Sequence, residues 1–78
     1  MPVVFTKHAL QQAAVRGITR DEIITTIETP DDIKQDDAGN TIAQKMVSAY
    51  FLRVVYHFEG SNTIVITAYK TSKVEKYV

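Results

Sequence analysis

From Tyr50 to Phe58 the sequence reads YFLRVVYHF, a run of aromatic and β-branched residues whose alternation suits only a β-strand. One side would carry Tyr50, Leu52, Val54, Tyr56 and Phe58, the other Phe51, Arg53, Val55 and His57. A strand with one wholly apolar side needs a second layer to cover it. The EGSN that follows is a turn, and TIVITAY is expected to pair back, with Ile64, Ile66 and Ala68 on one face and Val65, Thr67 and Tyr69 opposite. Upstream, Asp32 to Lys34 and Ile42 to Val47 read as two further strands around DDAG and Asn40, where Gly and Asn tolerate the positive φ of a hairpin turn.

The N-terminal part supplies the covering layer. Val3 to Phe5 is β-prone, a lead-in strand, after which Thr6 can cap a helix with Ala9, Leu10, Ala13 and Ala14 on one face and Gly17 as its stop. TRDE is a capping box: the Thr19 hydroxyl can accept from the Glu22 amide while the Glu22 carboxylate reaches back to the Thr19 amide. Ile23, Ile24 and Ile27 line the helix this opens, Asp21 and Glu22 suit the positive end of its dipole, and Pro30 ends it. The expected architecture is α+β: one domain over residues 1–78, with an N-terminal helical hairpin packed on a C-terminal antiparallel sheet of three to four strands.

Composition narrows the function classes. Nine basic and nine acidic side chains give a net charge of zero, so nucleic acid would have to be held by a local patch. No cysteine is present, which excludes disulfides, thiolate zinc sites and cysteine nucleophiles. Only two histidines occur, far apart in sequence, and the three glycines are isolated, so neither a metal site nor a phosphate loop is expected. No cofactor is implied. The N-terminus has no signal-peptide pattern and no apolar run is long enough to span a membrane, and on that basis a cytoplasmic location is expected.

Three groups of residues can carry chemistry. His8, Gln12 and Arg16, spaced by four, form a polar stripe on the first helix; His8 in its first turn is disfavoured as imidazolium and can accept a proton beside a fixed guanidinium. The same residues also fit a local role, with Arg16 capping carbonyls at its helix end. Arg53, His57, Thr67 and Tyr69 can share one sheet face, able to bind an anion, move a proton and stack on a base, although a solvated sheet face carries such residues too. Lys70, Lys73 and Lys76, interleaved with Tyr69 and Tyr77 and joined by Lys45, have the form of a small phosphate-contacting patch or of a solvated tail. Asp31, Asp32, Asp36 and Asp37 cluster around a turn and read as turn formers.

FTKHALQQAAVRGITRDEI together with YFLRVVYHFEGSNTIVITAYKTSKVEKYV resembles a family of small bacterial and archaeal domains of unknown function. The resemblance rests on Thr6, His8 and Ala9; on Arg16, Gly17 and Ile18; on Pro30; and on Val65 or Ile66 with Thr67 and Tyr69. The family often has an arginine after the His-Ala pair, where this chain has Gln12. It is distantly similar to the RelE and BrnT ribonuclease toxins. That likeness implies a RelE-like fold and a metal-independent endoribonuclease: His8 or His57 as proton acceptor, Arg16 and Arg53 on the phosphate, Tyr69 and Lys73 positioning RNA, and Lys45 and Lys70 adding charge. An antitoxin-like protein would then be a partner. The residues also support a non-catalytic module that binds a partner or a second copy of itself, because Phe51, Val55 and Val65 are apolar on the face expected to be open.

Overall fold

A computed structural model describes residues 2–47 and 49–72. Its elements are β1 (Val3–Phe5), α1 (Lys7–Arg16), α2 (Arg20–Glu28), β2 (Asp32–Gln35), β3 (Thr41–Val47), β4 (Tyr50–Glu59) and β5 (Asn62–Thr71). Both helix starts follow from their caps. Thr6 Oγ1 accepts from the Ala9 amide at 3.0 Å. At α2 the capping box is complete, with Glu22 N donating to Thr19 Oγ1 at 3.1 Å and Thr19 N to Glu22 Oε1 at 2.9 Å. A cap of this kind stabilises a helix by about 1 kcal/mol. Helix α1 ends because Gly17 takes φ +69°, letting its amide donate to Ala14 O and the Ile18 amide to Ala13 O.

The α+β class holds, but the sheet is larger than expected and mixed, with five strands in the order β1-β5-β4-β3-β2. The difference comes from β1. Val3, Val4 and Phe5 lie beside Thr63, Ile64 and Val65 in parallel, so the lead-in segment becomes an edge strand. The other pairs are antiparallel. The helices also depart from a helical hairpin: α1 packs chiefly on β5 and β1, and α2 on β3 and β4. Each therefore buries its apolar stripe on the sheet. Ala9, Ala13, Ile18, Ile23 and Ile27 meet Ala43, Leu52, Val54, Tyr56, Val65 and Ala68 in one core. Full burial of side chains such as Ile23, Leu52 and Val54 contributes roughly 1.5–3 kcal/mol each. Ala14 lies outside this core, while Tyr50 and Phe58 run past the helices and stay exposed.

One irregularity sets the faces of β5. Val55 pairs with Thr67 and Tyr56 with Val65, so Ile66 is an extra residue, a β-bulge. Strict alternation puts Val65 with Tyr69. The bulge shifts the phase by one, which sends Val65 into the core and leaves Ile64 beside His57. The expected positions of Val65 and Ile64 are thus exchanged, while Thr67 and Tyr69 keep the face shared with Arg53.

Candidate functional site

The face of the sheet opposite the helices carries the polar residues singled out in β4 and β5. Arg53 is in register with Tyr69 on one side and Gln44 on the other, and Gln44 with Asp32. Four adjacent strands thus contribute one cross-sheet row, Asp32, Gln44, Arg53 and Tyr69. The Arg53 guanidinium lies 5.5 Å from the Tyr69 ring centroid, a cation–π contact that fixes both side chains. Arg53 is 8% exposed and Gln44 fully buried. Gln44 Nε2 donates to Asp32 Oδ2 at 3.1 Å, whereas Gln44 Oε1 has no hydrogen-bond partner.

His57 lies on the same face of β4, four residues beyond Arg53. At ~3.3 Å per residue that is about 13 Å along the strand, too far for both to act on one phosphate oxygen. Its Nε2 is 3.2 Å from Glu59 Oε2, a contact that orients the ring and leaves Nδ1 for other partners.

Arg16 has a different place. β1 accompanies β5 only as far as Val65, and beyond that point helix α1 and its cap serve the edge of β5. Thr6 N donates to Val65 O at 3.2 Å, Thr6 Oγ1 to Ile66 O at 3.5 Å, and Arg16 Nη1 to Ala68 O at 2.7 Å and Thr67 Oγ1 at 3.5 Å. The carbonyl that Arg16 caps belongs to β5 and not to its own helix. His8 is exposed in the first turn of α1, and Gln12 is half-buried.

The basic patch divides. Lys45 and Lys70 both pair with Leu52, so they sit on the helix side of the sheet, behind Arg53. Lys45 Nζ donates to Thr29 O at 2.8 Å and is 3.7 Å from Asp31 Oδ1. Lys70 Nζ stands 4.6 Å above the Tyr50 ring and 3.4 Å from Gly17 O. With Ile18, Glu22, Val47, Tyr50 and Leu52, Lys70 lines a cleft of about 190 Å³. Lys73, Lys76 and Tyr77 lie outside the described residues. Among the acidic residues, Asp36 is a turn former, accepting from the Ala38 and Asn40 amides, and Asp31 accepts from the Met46 amide.

A family model described as a domain of unknown function, DUF4258, matches residues 5–70. The chain belongs to this family. The DUF4258 match takes in His8, Arg16, Lys45, Arg53, His57, Tyr69 and Lys70, and stops before Lys73. No curated protein and no solved structure matches the chain. No helix among the described residues is long and apolar enough to cross a membrane.

The structure thus brings Arg53, Tyr69 and Thr67 together, with Arg16 reaching Thr67 from the edge. His57 stands further along the same face. Gln44 and Asp32 are the members of the row that sequence reasoning missed. The available signal was Gln44 itself, a polar residue between Ile42 and Met46 in a strand whose alternate positions are Ala43 and Lys45.

Proposed function

We propose that the sheet face opposite the helices binds single-stranded RNA and that the protein is a toxin-like, metal-independent endoribonuclease. The observation that carries this reading is the Arg53–Tyr69 pair at the centre of the face, in register with Gln44 and Asp32. A guanidinium supplies directed donors for a phosphate, and a phenol supplies both a stacking surface and a hydroxyl. His57, oriented by Glu59, is the proton acceptor for the ribose 2′-hydroxyl, while Arg53 holds a neighbouring phosphate of the same strand. Arg16 positions Thr67 and the β5 edge without touching RNA. The resemblance to RelE and BrnT toxins supports the same class of chemistry.

The test is incubation of labelled RNA with the protein in EDTA, comparing wild type with His57→Ala and Arg53→Ala. Cleavage by the wild type is expected, with a loss of about 10²–10⁴-fold in His57→Ala. No cleavage, or equal rates in all three, would reject the enzyme.

A second reading, a non-catalytic interaction module, draws on the apolar residues of the same face. Val4 and Met46 are exposed there, and Ile42, Val55 and Ile64 are half-buried. The partner would be a second copy or an antitoxin-like protein covering these residues. Light scattering that finds only monomer would remove the self-association branch.

A further inference from the structure

The sheet ends at β2, and the order β1-β5-β4-β3-β2 leaves one side of that strand without a neighbour among the described residues. Asp36 N donates to Asn40 O across the hairpin. Backbone groups of an antiparallel strand point alternately to either side, so Lys34 also addresses β3, while Ile33 and Gln35 turn their N–H and C=O outward. An edge of this kind templates another strand unless a repelling charge, a proline or a covering element blunts it. All four residues of β2 are exposed. Helix α2 packs on β3 and β4, which leaves Ile33, on the helix side in register with Ala43, 52% exposed. Asp32 and Lys34 flank it on the open side of the sheet, 3.7 Å apart and each about half exposed. The edge thus reads negative, apolar, positive.

We propose that β2 is a self-recognition edge, which pairs antiparallel with β2 of a second copy about a two-fold axis at Ile33. In that register Ile33 faces Ile33 of the partner subunit, and their outward N–H and C=O groups exchange two hydrogen bonds. Asp32 then stands opposite Lys34 of the partner subunit, and Lys34 opposite the partner's Asp32, at the non-hydrogen-bonded positions where side chains approach most closely. The ion pair within each strand becomes a ring of four alternating charges. The two Ile33 side chains cover each other on the helix side and remove exposed apolar surface from water. Registers centred on Asp32 or Lys34 instead set like charges against each other, so charge and backbone direction select the same register. The axis stands perpendicular to the sheet. Both open faces therefore lie on one side and stay accessible, and the union holds whether or not that face binds RNA. A strand of four residues gives a small interface, so the dimer is weak.

The experiment is sedimentation velocity from about 10 µM to about 1 mM, the range in which so small an interface dissociates. Wild type is expected to pass from monomer to dimer. Lys34→Asp sets carboxylates opposite each other and Asp32→Lys sets ammonium groups, so each variant alone should associate about tenfold more weakly. Mixed in equal amounts, the two should dimerise at least as well as wild type, because every Asp then faces a Lys. Lys34→Asp loses only an exposed ion pair and should melt as wild type does at the lowest concentration. Ile33→Lys separates edge from face: it weakens a dimer formed through β2 and leaves one formed through the open face intact. The Ile33 amide reports the register, since it exchanges with solvent in the monomer and gains protection as concentration rises. A wild type that stays monomeric at the highest concentration, a mixture no more dimeric than its components, a dimer that survives Ile33→Lys, or an Ile33 amide indifferent to concentration would overturn the edge pairing. None of these outcomes touches the RNA-binding reading, which its own cleavage test decides.

Discussion

Asp36 accepts hydrogen bonds from the Ala38 and Asn40 amides and from the Asn40 side chain, and so closes the β2–β3 hairpin together with Gly39 at φ +86°. The bond from the Asn40 backbone N–H is the largest influence holding this carboxyl below the ordinary aspartate range. Because the folded value is depressed, the contribution to stability is present above the unfolded value and disappears as the pH falls through the folded one. The gap in melting temperature between wild type and Asp36→Ala should therefore narrow from about pH 7 to about pH 3. A constant gap would mean that the carboxylate charge is not what holds the turn. Tyr56 is the opposite case: burial raises its phenol above the ordinary value, in keeping with a core role. The turn role of Asp36 was legible in DDAG and Asn40 because its partners are two and four residues away. The partner of Arg16 was not, since Ala68 lies 52 residues along the chain.

At the scale of elements, β5 decides the most. Its neighbour β1 is three residues long, and the remaining edge is served by Thr6 and Arg16. An Arg16→Met variant keeps most of the side-chain length and loses the bond to Ala68 O. The expected cost is about 1 kcal/mol, since a charged hydrogen bond at an exposed position is partly replaced by water. The melting temperature should fall by about 4–8 °C for a domain of this size. Amide exchange should quicken around Ala68 and stay unchanged in the β2–β3 hairpin. Equal protection in both proteins would show that the clamp does not stabilise the edge. The same strand shows why its faces were partly misread. A bulge is a register event between two strands, and Ile66 is no different from its neighbours in sequence.

For the whole molecule, the balance of charge limits how RNA can be held. With equal numbers of basic and acidic groups, the long-range field is weak and any affinity must come from local contacts. On the sheet face, Lys34 lies 3.7 Å from Asp32, His57 Nε2 3.2 Å from Glu59, and the Arg53 guanidinium against the Tyr69 ring, so few cations stand on this face. If about two cations meet phosphate, log K against log salt should have a slope of about −1.4 for a single strand. Binding constants across a salt series give that slope directly. A slope near −4 would assign the RNA to a more basic surface than this one.

Taken alone, the sequence determined the features whose causes are local: both helices, through Thr6, Gly17 and the Thr19–Glu22 box; the hairpin turn; and the two faces of β4, through strict alternation. These depend on residues within about one turn or one strand, so the chain encodes them without reference to the rest of the fold. Tertiary structure decided the parallel union of β1 with β5, the bulge at Ile66, the edge clamp of Arg16 and the placement of Lys45 and Lys70 behind the sheet. It also brought Gln44 and Asp32 into line with Arg53 and Tyr69. Each of these is a pairing between segments distant in sequence, and strand register, which no single segment carries, selects which side chains meet.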